Sequence, residues 1–214
     1  MSWLSYIFPR TITKLSSSYN KEIRINEEKG KLKLLVNGSR QSGEQISTLW
    51  KKAFRAFRIP QDYQVRSVLV LGVGGGSVIY LLREYYPEAK IVGLDIDQTM
   101  IEIGKKYFGL DQVKNLSFVC QDAEQFVAKK KKFDLVVVDL FIGTDVPELV
   151  RRESFLKNLK ASLTKNGAVV INYLREFEYG QKSESLKKSL SALFPQVAEK
   201  SISSNRFFLV SMVK

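Results

Sequence analysis

The sequence predicts an α/β fold. Its main part is a doubly wound, mostly parallel sheet with an antiparallel C-terminal edge hairpin, and a small β annex precedes it. Three observations predict this. Beyond residue 65, short apolar runs alternate with stretches of helical period, the pattern of successive β-α-β units. A glycine-rich turn, Gly72-Val73-Gly74-Gly75-Gly76-Ser77, directly follows the first of those runs. Before residue 60 the period is two at first and then helical. The chain accordingly divides into residues 1–60, an N-terminal arm, hairpin annex and connecting helix, and residues 61–214, the nucleotide-binding sheet domain.

The elements follow in order. Trp3 to Pro9 is apolar but short, and reads as a packed arm, a lid or a weak interfacial anchor. Ile23 and Ile25 alternate with polar residues, Glu27-Glu28-Lys29-Gly30 supplies a turn, and Leu32, Leu34 and Val36 alternate again, which makes a hairpin. Asn37-Gly38 marks the next turn. From Glu44, Ile46, Leu49, Trp50, Ala53, Phe54 and Phe57 share one helical face, and Ile59-Pro60 stops that helix. Val68–Leu71 is a continuous apolar run, as a central parallel strand requires. A helix through Val78, Leu81, Leu82 and Tyr85 ends at Pro87. Ile91–Leu94 is the next strand, closed by Asp95. Asp97 caps a helix carrying Met100, Ile101, Ile103, Tyr107 and Phe108. Strands at Leu116–Cys120 and Phe133–Val138 follow. Then come a helix at Glu148–Leu163, a strand at Ala168–Asn172 and a helix at Ser183–Phe194. Val197–Ile202 and Phe207–Met212 form the edge hairpin.

Composition narrows the chemistry. The 214 residues are 44% hydrophobic and 26% charged, an ordinary globular balance with room for one full core. There is no histidine, which removes the commonest general base and transition-metal ligand. The single cysteine, Cys120, allows no intrachain disulfide and no zinc site of its own. No apolar run is long enough to span a bilayer, and no signal peptide is recognisable, so a cytoplasmic location is expected. The formal net charge is +12. That excess suits an acidic partner such as nucleic acid or a membrane surface, or simply a solvated basic surface, because the cations are spread along the chain.

Ligands of doubly wound sheets sit at the carboxyl ends of the strands. Four such ends carry distinctive residues here. Gly72, Gly74 and Gly76 allow a tight turn and close backbone approach. Asp95 can accept from ribose hydroxyls. Asp122, followed by Ala123, can accept an adenine amino proton. Asp139 lies where a reacting group would sit. Each feature has a plain structural reading too: the glycines as a turn, Asp95 and Asp122 as helix caps, Asp139 as a cap on the loop before Pro147. A dinucleotide fingerprint needs a glycine where Ser77 stands, and a phosphate-binding loop needs Gly-Lys-Ser/Thr, which is absent. The spacing suits an adenosyl amino acid.

At this point the chain resembles the spermidine synthase family and its spermidine-synthase-like methyltransferase relatives. The resemblance spans residues 19–175. It is carried by Leu34-Leu35-Val36-Asn37-Gly38-Ser39-Arg40-Gln41, by Val68 to Ser77, and by Val92-Gly93-Leu94-Asp95-Ile96-Asp97 leading to Lys105-Lys106-Tyr107-Phe108. Gln121-Asp122-Ala123, Phe133 to Asp139 and Val146-Pro147-Glu148 continue it. It implies a Rossmann-like class I methyltransferase sheet with an N-terminal β annex. It also implies S-adenosyl-L-methionine or its decarboxylated form as donor. Gln41, Asp95, Ile96, Asp122 and Ala123 would contact the nucleoside, and Asp139 would lie by the sulfonium.

The departures bear on the reaction. Aminopropyltransferases of this family usually carry an aspartate where this chain has Gly75, another where it has Ile142, and a Tyr-His pair after the equivalent of Gln41. Losing these carboxylates removes the attraction for a polycationic amine. Methyl transfer to a small-molecule acceptor is therefore the leading expectation. Aminopropyl transfer in polyamine synthesis, with an altered acceptor site, is a second. A nucleotide-binding scaffold that works through its basic surface is a third. Asp139 is the expected catalytic residue, and Tyr173 is a weaker candidate for the acceptor pocket. A homodimer is an open alternative.

Overall fold

A computed structural model describes residues 8–212. Two sheets organise them. The first is antiparallel, in the order β1-β2-β3-β4, made of Arg10–Leu15, Ile23–Glu28, Lys31–Val36 and Ser39–Arg40. The second has seven strands in the order β10-β11-β9-β8-β5-β6-β7. These are β5 (Ser67–Leu71), β6 (Lys90–Asp95), β7 (Leu116–Cys120), β8 (Phe133–Val138), β9 (Leu163–Leu174), β10 (Gln196–Ile202) and β11 (Asn205–Ser211). β5 pairs in parallel with both β6 and β8, whereas β11 runs antiparallel between β9 and β10. The predicted sheet and edge hairpin are both present.

Helices cover both faces, which explains why β5 is apolar at successive positions. Val68 and Val70 face one core, shared with Trp50 and Phe54 of α1 (Glu44–Ala56) and with Ile79 and Leu82 of α3 (Ser77–Tyr85). Leu69 and Leu71 face the other, with Phe155 and Leu159 of α6 (Glu153–Ala161) and Leu186 and Leu190 of α7 (Tyr179–Leu193). Each such side chain, fully buried, contributes about 1.5–3 kcal/mol relative to exposure. A third, smaller core joins the annex to the sheet domain. Ile23, Ile25, Leu34 and Val36 pack against Met100 and Ile103 of α4 (Gln98–Phe108).

Several boundaries differ from expectation. The helix expected over Glu148–Leu163 is broken: Glu148–Arg151 is a 3-10 turn, Arg152 is extended (φ −66°, ψ 131°), and α6 starts only at Glu153. β9 begins at Leu163 rather than Ala168, and α7 begins at Tyr179. Ile59-Pro60 ends α1 as expected but opens a short helix of its own, α2 (Ile59–Asp62), because proline is tolerated in a first helical turn. A short helix α5 (Ala123–Val127) precedes the basic run Lys129–Lys132. β1 carried no clear alternation, and its side chains are mostly exposed. The arm expected at Trp3–Pro9 lies outside the described residues except for Phe8 and Pro9. No helix among the described residues is long and apolar enough to cross a membrane.

One carboxylate ties the strand starts together. Asp134 accepts from the backbone amides of Arg66 and Ser67, each at 3.0 Å, and from the hydroxyls of Ser67 (3.0 Å) and Thr164 (2.9 Å). Burial alone would raise its pKa, but these hydrogen bonds from Arg66, Thr164 and Ser67 outweigh it and hold the carboxyl below the usual range. A depressed folded-state pKa adds stability above the unfolded value, and that stability is lost as pH falls through the folded value. Asp134→Ala is expected to cost about 1–3 kcal/mol at neutral pH. Urea unfolding should show the difference from the unsubstituted protein shrinking below about pH 4.

Candidate functional site

The site forms where β5 parts from its two neighbours, the topological switch point of the sheet. Ladder bonds continue up to the turn on both sides: Gly72 N donates to Leu94 O and Asp139 N donates to Leu71 O, each at 2.8 Å. Gly72 has φ +94°, and a Cβ there would lie 2.2 Å from the Asp139 carbonyl oxygen. Only glycine fits this close approach. A cavity of about 250 Å³ opens above it, near the lower end of ligand-pocket sizes, about 300 Å³.

Most of the candidate residues meet in this cavity. Gly72, Gly74, Asp95, Ile96, Asp122, Ala123, Asp139 and Gln41 all line it. Gly76 does not. A Cβ on it would lie 2.3 Å from Leu110 Cδ2, and it precedes the first residue of α3, so it serves close packing beneath the turn. Tyr173 is also elsewhere. It is 1% exposed and packs edge-on against Tyr179 with ring centroids 5.9 Å apart. Strand alternation places its neighbour Asn172, not Tyr173, beside Asp139.

The first three acids do different work. Asp95 holds the turn: Oδ2 accepts from Val73 N and Oδ1 from Asp97 N, each at 3.0 Å. Burial pushes its pKa up, against the opposing pull of the Val73 and Asp97 amides. The capping duty falls to Asp97, which accepts from Thr99 N at 3.0 Å. Asp122 does both jobs. Its Oδ1 caps α5 through Gln125 N at 2.9 Å, and the residue lines the cavity.

Asp139 is held by two neutral donors. Asn172 Nδ2 donates to Oδ1 at 2.9 Å, and Trp50 Nε1 donates to Oδ2 at 3.1 Å. Asn205 Nδ2 donates in turn to Asn172 Oδ1 at 2.7 Å, which fixes the orientation of that amide. Burial raises the Asp139 pKa, and the Asn172 and Trp50 hydrogen bonds oppose the rise. A buried carboxyl poised this way can take up a proton more readily than an exposed one.

The annex closes the cavity. Gln41 Nε2 donates to Gly143 O at 2.9 Å, strapping the annex to the loop after β8. Asn20, 8% exposed, donates from Nδ2 to Asp97 Oδ2 at 2.9 Å, and its buried Oδ1 has no partner among the described residues. Ser42 lies against the glycine turn: a Cβ on Gly75 would be 2.4 Å from Ser42 Cβ. Sequence reasoning missed Asn20, Ser42, Asn172 and Asn205, and saw Trp50 only as part of an apolar helical face. The run Asn37 to Gln41 placed the annex near the site, but nothing in the spacing distinguished Ser42 or Asn20 from turn residues.

Comparisons with known proteins place the fold among known ones. Polyamine aminopropyltransferase of Vibrio vulnificus is 32% identical over 109 residues, covering 49% of this chain and 36% of that protein. Human eEF1A lysine and N-terminal methyltransferase is 27% identical over 143 residues, covering 60% of this chain and 20% of that protein. The chain thus spans about a third or less of these relatives' length. A crystal structure of spermidine synthase with the transition-state analogue AdoDATO superposes with a TM-score of 0.78 at 18% identity, covering 95% of this chain and 74% of that one. Human methyltransferase-like protein 13 in complex with SAH gives 0.68 at 22% identity, covering 77% and 82%. A family model described as a methyltransferase domain matches residues 65–207, from the start of the seven-stranded sheet into its last strand. The chain belongs to that methyltransferase domain family.

Proposed function

We propose that the chain transfers a methyl group from S-adenosylmethionine to an amine. The observation that carries this reading is the contact between Gly75 and Ser42. In an aminopropyltransferase an aspartate at this position would grip the donor's aminopropyl amine. Here Ser42, 1% exposed and fixed by a 2.9 Å hydrogen bond from Leu34 N to its Oγ, fills the space a side chain would need. The second carboxylate of the polyamine pattern is replaced by Ile142, which is 48% exposed on the loop after β8.

The residues suit an adenosyl donor. Gly72 and Gly74 bring bare backbone to the cavity wall, and Asp95 and Asp122 offer acceptors for hydroxyl and amino hydrogens. Asn20 Oδ1, without a partner among the described residues, offers another. Such a donor supplies a methyl carbon already activated by its sulfonium. The protein's task is then to align the acceptor and exclude water. An amine arrives largely protonated at neutral pH. Asp139 accepts that proton through its cavity-facing lone pairs, while Trp50 and Asn172 keep the carboxylate from turning. The named relatives include lysine and N-terminal methyltransferases, whose acceptors are amines.

Aminopropyl transfer remains the second reading, supported by the similarity to the Vibrio vulnificus protein. Titration calorimetry with both donors separates the two. S-adenosylmethionine is expected to bind more tightly than its decarboxylated form. The reverse order would overturn the proposal in favour of aminopropyl transfer, and no affinity for either would leave a scaffold.

A further inference from the structure

A second recess adjoins the first. It has a volume of about 910 Å³ and lies between the annex, α1 and the tip of the β10–β11 hairpin. Its cations are Lys29, Lys31, Lys33, Arg40 and Lys52, and its acids are Glu28 and Glu44. Glu28 is bound by Lys33 and by Arg40, and Glu44 pairs with Lys31 at 3.1 Å. The ion pairs thus leave a positive excess, and Lys52, exposed on α1, makes no ion pair among the described residues. Leu32, Leu49 and Ile202 supply apolar surface between these charges.

Two residues join the recess to the reaction site. Ile46 lines both spaces and forms part of the wall between them. Asn205 lines the recess and begins the hydrogen-bond chain through Asn172 to Asp139. An acceptor lying in the recess would therefore approach the reaction site along Ile46.

We infer that this recess docks the acceptor as an acidic, partly apolar peptide segment whose amine enters the site past Ile46. The inference rests on the methyl-transfer reading and names its substrate class. Charge complementarity favours acidic partners, and the interspersed Leu32, Leu49 and Ile202 suit side chains better than a phosphate backbone. Among the described residues, no aromatic side chain lines the recess to stack a base, as single-stranded nucleic acid binding requires.

The test is fluorescence anisotropy with a labelled short peptide of glutamate and leucine carrying one central lysine, run alongside donor calorimetry on the same samples. Simultaneous Lys29→Glu, Lys31→Glu and Lys52→Glu is expected to weaken peptide binding on the order of tenfold or more. Lys114→Glu, Lys131→Glu and Lys165→Glu together change the net charge equally on other surfaces and should leave peptide binding intact. Donor affinity should be unchanged in both. A photo-crosslinker on the peptide should label residues 28–52 or 202–205. Equal weakening by the two triple variants, labelling elsewhere, or stronger binding of a single-stranded oligonucleotide of the same charge would overturn the inference. Absent peptide binding with intact donor binding would overturn it alone. Absent donor binding in the unsubstituted protein would instead remove the methyl-transfer reading.

Discussion

Asp139→Asn is expected to slow methyl transfer by about 10²–10⁴-fold, the range a positioned general base contributes, with donor affinity largely retained. Two donors converge on this side chain, so it must present two acceptors. Trp50 Nε1–H belongs to a ring buried at 0% exposure and cannot turn away. Asn172 cannot flip its amide without losing the bond from Asn205. An asparagine would set its own NH₂ against one of them. The same conflict disfavours the protonated acid, so the network pulls toward the ionised form while burial pulls the other way, and burial prevails.

The sign of the pH dependence follows. The ionised, base-competent form is lost as pH falls through a pKa above the ordinary aspartate value of about 3.9. The acid limb of the rate profile should therefore lie above that value and vanish in the asparagine variant. For stability the direction is opposite. A raised folded-state pKa makes the aspartate most favourable below its unfolded pKa and least favourable above its folded one. The stability difference between the unsubstituted protein and the variant should move in the variant's favour as pH rises. Single-turnover rates and urea unfolding across a pH series check both, and an undiminished rate at neutral pH would remove Asp139 from the mechanism.

Gly72→Ala is expected to be the most damaging small substitution in the turn. The left-handed backbone costs about 1–2 kcal/mol for a residue with a Cβ, and overpacking adds about 1–3 kcal/mol. The new methyl would meet backbone, the Asp139 carbonyl, rather than a side chain that can swing aside. Relief requires β5 and β8 to spread at their carboxyl ends, which displaces Asp139 from Trp50 and Asn172. Stability and donor binding should thus fall together. Calorimetry and thermal unfolding measure this, and a variant that melts and binds like the original would mean the turn is looser than its geometry indicates.

The parts of the fold with a strong period were legible in the sequence. β5 announced itself as an unbroken apolar run because the strand is buried on both faces, and α1 did so through its apolar stripe. Arg10–Leu15 was invisible because it buries almost nothing, so no pattern was imposed on it. The break at Arg152 was invisible for the opposite reason: Val150 and Phe155 are both fully buried, so the apolar spacing runs straight through a backbone turn. Within the site, residues at strand ends were readable because a parallel sheet sends its ligands there. Residues that act by tertiary approach were not. Trp50 and Asn172 reach Asp139 from elements 89 and 33 residues away in sequence, and an apolar helical face conceals an indole N–H donor.

The placement of β11 has a consequence for biosynthesis. It leaves the ribosome after every other strand of its sheet, yet it must insert between β9 and β10, which are already made. Its first residue is Asn205, the anchor of the amide that orients Asp139. A nascent chain ending before residue 205 already contains the glycine turn, Asp95, Asp122 and Asp139, but Asp139 lacks that final constraint. Every residue that lines the cavity is therefore synthesised before the strand that fixes the Asn172 amide.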